Sequence, residues 1–500
     1  MEENMKTREQ LEAEAGALLA SIEERKQAGG LKAKDRLAIP PQEMPAQAPA
    51  IRARNVNEVA LGYGENQARL EAERCLSCKN EPCVKGCPVN VPIPRFIAEI
   101  QRGCFKAAAD IIKETNLLPA VCGRVCPQEK QCQLECTLGK SLKSVDKAVA
   151  IGRLERFVAD REREQGESAV PAIKPATGKR VAVIGSGPAG LTVAADAARE
   201  GHEVSVFEAF HKPGGVMVYG IPEFRLPKAI VQAEVETLAK MGVQLEMNFL
   251  AGRTRTIEDM LGEGRYDAVF IGAGAGLPKF LGCPGENLVG VVSANEYLTR
   301  ANLMKAYDSS RAATPIYQSR IVAVIGGGNV AMDAARMALR LGAEQVHVIY
   351  RRTRNEMPAR AEEVEHAMEE GIVFNFLRNP NRFLGDAQGR VTGMELQRFE
   401  LGAPDSSGRR SPEAIPDSAY EFPCDTAVVA LGNESNPLLP RTTKGLETDR
   451  RGRIVVNSGQ KTALERVYAG GDIVLGAATV ILAMGEGRRA AASINALLAE

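Results

Sequence analysis

Five hundred residues is too long a chain for one compact core, so about two to four domains are expected. Lysine plus arginine and aspartate plus glutamate both come to 63, which leaves no basic excess for nucleic acid. No apolar run is long enough to span a bilayer, and four histidines are a thin supply for imidazole-based metal or acid–base chemistry.

Leu11, Ala15, Leu18, Leu19 and Ile22 fall at helical spacing and predict a peripheral amphipathic helix. Gly29–Gly30 ends it, and a Pro/Ala-rich linker from Ile39 to Ala50 follows. This Glu-rich beginning fits neither a secretory signal nor a transit peptide, so a cytoplasmic protein with reduced cysteines is expected. Residues 1–50 therefore read as a helical extension and linker.

Residues 51–165 are cysteine-rich, with helix-period apolar residues at Asn66–Arg74, Pro94–Ile112 and Ala148–Asp160 and no strand alternation. Of eleven cysteines, all but Cys283 and Cys424 lie between Cys75 and Cys136. Cys75-x2-Cys78-x4-Cys83-x3-Cys87-Pro88 is close to the bacterial ferredoxin run, in which the last Cys-Pro serves the other cluster. Cys122-x3-Cys126-Pro127-x4-Cys132-x3-Cys136 forms the second quartet. Thiolates are soft, anionic ligands suited to iron–sulfur clusters. Zinc is the alternative use of such spacing. Two [4Fe-4S] clusters are expected, with ligands either kept within each quartet or split between them, and Glu155 as a further candidate. Cys104, Cys283 and Cys424 stand alone and read as ordinary buried thiols.

After a polar linker at 164–179 the texture changes to strand, glycine turn and helix. Val181–Gly190 carries G-x-G-x-x-G at Gly185, Gly187 and Gly190, and Glu208 ends the next strand, where an acid can bind ribose hydroxyls. A helix N-terminus after such a turn faces the dinucleotide phosphates. The pattern recurs with Gly326, Gly328 and Ala331, but its second strand ends in Tyr350-Arg351-Arg352. Two guanidiniums and no acid favour a 2′-phosphate, hence NADPH over NADH. Two more strands, in Asp267–Ala275 and Asp425–Gly432, end in glycine and suit crossings between the nucleotide domains. Asp472 follows another strand, where it can hydrogen-bond a flavin's ribityl or phosphate groups. Thr479 and Val480 open a last, Ala-rich helix whose N-terminus can stabilise negative charge.

Together, both quartets, the Ala150–Phe157 segment, Pro213–Lys228, the two glycine fingerprints and Ala469–Asp472 make the chain resemble the glutamate synthase small-subunit family of iron–sulfur flavoproteins. It is similar within it to homotetrameric-type NADPH glutamate synthase and to the FAD-bearing large subunit of NADH-dependent reduced ferredoxin:NADP oxidoreductase, the sulfide dehydrogenase alpha subunit. The N-terminal module of dihydropyrimidine dehydrogenase is similar too. The resemblance implies an all-α iron–sulfur domain followed by two α/β Rossmann-like domains. These are an FAD domain in two parts (178–300 and 436–500) and an NADPH domain (315–435).

It implies FAD at Gly185, Gly187, Pro188, Ala189, Gly190, Glu208, Gly215, Gly471, Asp472, Thr479 and Val480. NADPH falls at Gly326, Gly328, Asn329, Val330, Ala331, Arg351 and Arg352. Cys75, Cys78, Cys83 and Cys136 would hold one cluster. Cys87, Cys126, Cys132 and Glu155 would hold the other, with Cys122 as the alternative to Glu155. The expected reaction is hydride transfer between NADPH and FAD, then single electrons through the clusters to a redox partner. That partner is a glutamate synthase large subunit or, alternatively, a small FAD/Fe–S subunit and ferredoxin. Glu2 stands where a glutamine-hydrolysing cysteine would be, so glutamate formation is not expected on this chain. A non-catalytic zinc- and nucleotide-binding scaffold is the rival from another class, which the coexistence of both fingerprints with the quartets disfavours.

Overall fold

The computed structural model describes residues 5–166, 170–310, 312, 314, 316–404 and 410–499. Glu2, linker residues 167–169 and the domain limits expected at 315 and 500 lie outside the described residues.

The first helix, Arg8–Gly29, begins at a capping box of Thr7 and Gln10 and stops at Gly30, whose φ of 79° is left-handed. It buries Leu11, and packs Ala15, Leu19 and Ile22 against Ile39 and Leu70, while Leu18 is half-buried. Its Glu12 carboxylate accepts from the Asn66 and Gln67 N–H groups at 2.7 and 3.2 Å, capping the helix Glu65–Glu73. An anion at a helix N-terminus stabilises it by complementing the dipole, so this extension is fastened to the cysteine-rich region. The expected division between 50 and 51 passes through a one-turn helix, Pro49–Arg52.

The cysteine-rich region has no strand among its described residues. The apolar period at 94–112 is interrupted, giving Ile93–Gln101 and Phe105–Lys113. Gly103 at φ 75° makes the break, and it leaves Cys104 at the start of the second helix, exposed rather than buried. The helices Pro119–Val125 and Ile151–Glu164 cross closely, because a Cβ on Gly123 would lie 2.6 Å from the Arg156 nitrogen.

Among the described residues, sixteen strands follow in chain order. They are β1 Arg180–Ile184, β2 Glu203–Phe207, β3 Gln244–Glu246, β4 Ala268–Ile271, β5 Leu277–Pro278, β6 Val291–Ser293, β7 Ile321–Ile325 and β8 Gln345–Tyr350. The rest are β9 Val373–Phe376, β10 Arg378–Gly385, β11 Val391–Pro404, β12 Arg410–Ala414, β13 Tyr420–Pro423, β14 Thr426–Val429, β15 Asn433–Glu434 and β16 Val467–Ala469. Two sheets are wholly parallel, in the orders β16-β4-β1-β2-β3 and β6-β14-β7-β8-β9. Antiparallel strands β10 to β13 are inserted between β9 and β14. The two crossings, β5 and β15, pair with each other just beyond β4 and β14, the strands expected to lead into them.

One strand departs from the expected division. β6 lies within 178–300, yet it pairs with β14 as the edge of the second sheet. Chain order does not reveal which sheet such a short strand joins; backbone hydrogen bonding across the crossing decides it. The apolar core of the cysteine-rich helices is continuous with the helix layer over the first sheet, through Leu191, Ala194, Met484 and Ile494.

Candidate redox site

β1 and β2 are buried parallel strands, and the turn after β1 is built for close backbone approach. The Gly185 N–H donates to the Phe207 carbonyl at 2.8 Å, and Gly187 precedes the helix Pro188–Arg199. A Cβ on Gly190 would lie 1.9 Å from the Gly185 carbonyl oxygen, so only glycine lets the helix sit against its turn. A Cβ on Gly187, by contrast, would meet nothing within 4 Å, leaving room above the turn. Glu208 fixes this turn from below. Its carboxylate accepts from the Ser186 N–H at 3.0 Å, the Ser186 hydroxyl at 2.5 Å and the Phe210 N–H at 2.8 Å.

Above the turn lies a cleft of about 550 Å³, within the range of cofactor-sized sites. Gly185, Gly187, Pro188, Ala189, Glu208, Gly215, Gly471, Asp472, Thr479 and Val480 all line it; Gly190 lies behind it. Burial pushes the Asp472 carboxyl up to about 6, against a hydrogen bond from the Ala478 N–H. The helix Val480–Ala499 starts at this cleft, with Ala483 on the wall. The opening above the glycine turn, the helix N-terminus and the half-buried Asp472 fit a bound dinucleotide such as FAD.

The second turn repeats the first with different chemistry. The Gly326 N–H donates to the Ile349 carbonyl at 3.0 Å, and Gly328 precedes the helix Asn329–Arg340. A Cβ on Gly328 would have one neighbour, Pro358 Cγ, at 3.9 Å, which leaves space for a phosphate. Val330 is half-buried and Ala331 fully buried beneath the turn. Arg351 is exposed at the end of β8, whereas Arg352 is buried and donates from Nε to the Arg410 carbonyl at 3.2 Å. The two arginines, alike in sequence, are therefore differently disposed. Asn329 Oδ1 accepts from the Arg360 N–H at 2.9 Å, a contact that sequence spacing did not signal.

Cysteines of the two quartets lie beside one another in the fold. Burial raises the Cys75 thiol, and Cys136 and Cys78 add to the effect. Cys83 is pushed up to about 12 by burial, with Cys75 and Cys136 again beside it. Cys87, Cys122, Cys126, Cys132 and Glu155 are also neighbours, and Cys132 lies beside Cys83 as well. Cys87 is pushed up to about 11 by burial, helped by Glu155 and Cys122, and Cys132 is raised by burial and then by Cys87 and Glu155. Cys126 is raised by its hydrogen bond with Cys122 and by burial. Such packing of thiols disfavours each proton-free charge on its own and suits a shared cationic iron core. Among the described residues, no three Cys, His, Asp or Glu side chains converge as a single-ion site.

Glu155 is buried, and burial pushes its carboxyl up to about 8. Asn116 donates to Glu155 Oε1 at 2.7 Å, while the Cys122 thiol lies 3.8 Å from Asn116 Oδ1 and 3.6 Å from Met484 Sδ. Asn116 and Met484 were not legible as site residues, since one sits in a turn and the other reads as helix core. One wall joins this group to the cleft. Ala483 lines the cleft, Met484 touches Cys122, and a Cβ on Gly485 would lie 2.8 Å from the Pro88 carbonyl oxygen, next to Cys87.

Two parallel sheets with glycine turns, packed against a cysteine-rich helical domain, define the class of dinucleotide-dependent iron–sulfur oxidoreductases. Residues 52–167 match the family of dihydropyrimidine dehydrogenase domain II, with its 4Fe-4S cluster, and residues 179–487 match the pyridine nucleotide-disulphide oxidoreductases. The glutamate synthase [NADPH] small chain of Halomonas elongata is 37% identical over 459 residues, covering 91% of this chain and 95% of that one. The chain belongs to the glutamate synthase small-chain family of NADPH-dependent oxidoreductases. It is also 39% identical to the NADP(+)-dependent formate dehydrogenase subunit beta of Moorella thermoacetica, over 83% of this chain, but spans 60% of that protein's length. Mycobacterium tuberculosis FprA, solved in complex with NADPH, shares the fold, with a TM-score of 0.54 at 20% identity over 64% of this chain and 85% of that one.

Proposed function

We propose that the chain is the electron-input subunit of a glutamate synthase-type complex, exchanging hydride with NADPH and passing single electrons to a separate redox protein. The observation that carries this reading is the shared wall: consecutive residues Ala483, Met484 and Gly485 line the cleft, touch Cys122 and seat on Pro88. FAD, when bound, supplies two-electron exchange with nicotinamide, and the clusters supply one-electron transfer.

The chain's own residues do the positioning. Gly187 and the helix that begins at Pro188 hold the FAD pyrophosphate, and Glu208 keeps that turn rigid through Ser186. Asp472 and the helix N-terminus at Val480 also line the cleft and would border the bound flavin. Gly326, Gly328, Asn329, Val330 and Ala331 present the second helix N-terminus to NADPH, and exposed Arg351 receives the 2′-phosphate. Cys75, Cys78, Cys83 and Cys136 hold one [4Fe-4S] cluster, and Cys87, Cys126, Cys132 and Glu155 hold the other, nearer the cleft. Cys122, hydrogen-bonded to Cys126 and packed on Met484, lines the route between them.

The partner is the large subunit of the complex, in the cytoplasm; among the described residues no helix is long and apolar enough to cross a membrane. The test is quantification of flavin, iron and acid-labile sulfide in anaerobically purified protein, alongside NADPH- and NADH-dependent dye reduction. One FAD and about eight iron atoms per chain, with NADPH strongly preferred, are expected. Zinc in place of iron would refute the reading, as would the absence of pyridine-nucleotide-dependent dye reduction. Co-purification with a very large subunit identifies the glutamate synthase type, and a small flavoprotein in its place refutes it.

A further inference from the structure

We infer that Arg360 is a positioning residue coupling the second dinucleotide turn to the cysteine turn at 122–132. Through it, nucleotide binding changes the reduction potential of the cluster held there. The inference rests on the assignments just proposed for NADPH and for that cluster.

The two ends of Arg360 belong to different sites. Its backbone N–H donates to Asn329 Oδ1 at 2.9 Å, and Asn329 is the first residue of the helix after Gly328, where a dinucleotide phosphate would bind. The preceding N–H, of Ala359, donates to the Gly327 carbonyl at 3.2 Å, so the whole segment leans on the turn. The guanidinium reaches the other way. Nη1 donates to the Arg124 carbonyl at 3.1 Å and Nη2 to Gln128 Oε1 at 3.5 Å. Lys130 Nζ adds a parallel link to the Pro358 carbonyl at 2.9 Å.

Gln128 carries the contact onward. It lies between Cys126 and Cys132, is buried, and donates to the Cys122 carbonyl at 3.4 Å. A Cβ on Gly152 would lie 2.0 Å from its amide nitrogen, so Gln128 is wedged against the helix that bears Glu155. A change at Asn329 is thus passed through one side chain to the turn and the helix around the second cysteine group. The same guanidinium is ion-paired: Nη2 donates to Glu362 Oε2 at 3.0 Å, and the buried Nε, without a hydrogen-bond partner, lies 3.7 Å from Glu129 Oε2. Beside it is a cavity of about 210 Å³, lined by Arg360, Gln128 and Glu129 among others. Moving a permanent cation relative to a cluster changes the energy of adding an electron there. By linkage, cluster reduction changes nucleotide affinity by the same factor.

The test uses holoprotein with flavin and clusters under anaerobic conditions. The probe is 2′-phospho-ADP-ribose, which has no nicotinamide and takes no hydride. Its Kd is measured with clusters oxidised and reduced, and the clusters are titrated by EPR with and without it. Native protein is expected to show at least a ~5-fold difference in Kd and a matching displacement of one cluster's titration. Arg360→Gln should bind the probe but lose that displacement, and Arg360→Lys should recover part of it by restoring the charge. No displacement in native protein, or one that survives intact in Arg360→Gln, overturns the coupling. Absence of probe binding or of cluster signals in native protein overturns instead the site assignments on which it stands.

Discussion

Gly485→Ala separates two opposed effects at the wall between cleft and cysteines. In an unobstructed helix interior, alanine is favoured over glycine by ~1 kcal/mol. Here the added Cβ would lie 2.8 Å from the Pro88 oxygen, 3.4 Å from Pro88 Cβ and 3.5 Å from its carbonyl carbon. Backbone cannot swing aside as a side-chain tip can, and overpacking of this kind costs about 1–3 kcal/mol. The clash therefore wins or cancels the helix gain, and the net effect is a destabilisation of up to ~2 kcal/mol. The displaced helix also moves Met484 from Cys122 and presses on the residue after Cys87. Thermal unfolding should show a lowered midpoint. Stopped-flow spectroscopy should show flavin reduction by NADPH near the native rate and cluster reduction slowed. Gly29→Ala, where an added Cβ meets nothing within 4 Å, is the control and should change stability by no more than ~0.5 kcal/mol. A Gly485→Ala protein stabilised by ~1 kcal/mol with unaltered cluster reduction would refute the claim that this helix is seated on the cysteine turn.

Arg351→Ala should lower kcat/KM for NADPH by roughly 10- to 100-fold while sparing NADH, from loss of a charge-assisted hydrogen bond worth about 1.5–3 kcal/mol. Arg352→Ala should instead cost stability, since that side chain is committed to the Arg410 carbonyl. Glu155→Ala should alter the EPR spectrum of one cluster and leave the other, with Cys122→Ser nearly silent; the reverse pattern makes Cys122 the ligand. Glu370 accepts from Arg52, Arg336 and Arg340 and is buried with them, so Glu370→Gln should destabilise by about 3–5 kcal/mol in chemical denaturation. Although burial opposes it, Arg336 and Arg340 hold this carboxyl down at about 2. A lowered folded value means its stabilisation is full above the unfolded value near 4.3 and is lost as pH falls towards 2. The variant's acid-unfolding profile should be flatter across that window.

The glycine turns were legible because strand, turn and helix each have their own local pattern, and ten of the residues that the resemblance implied for FAD line one cleft. The cysteine spacings pointed to clusters and left the ligand grouping open, and Cys136 comes beside Cys75 through tertiary packing that no spacing encodes. Asn116 lies far from Glu155 in the chain and meets it only after helices cross at Gly123. Cys104 read as an apolar thiol, yet the left-handed turn at Gly103 sets it at an exposed helix start. β6 was assigned with its sequence neighbours, and inter-strand hydrogen bonds put it in the other sheet. Arg351 and Arg352 are identical letters just past β8, yet one is exposed and the other is held by the Arg410 carbonyl, a contact made across the fold.

EPR of the isolated, anaerobic holoprotein after addition of NADPH alone tests the central claim most directly. The account predicts that NADPH bleaches the flavin and that spectra of reduced [4Fe-4S] clusters then appear, with no partner present. Flavin reduction with both clusters remaining oxidised, at any NADPH excess and with a stronger reductant able to reduce them, would contradict it.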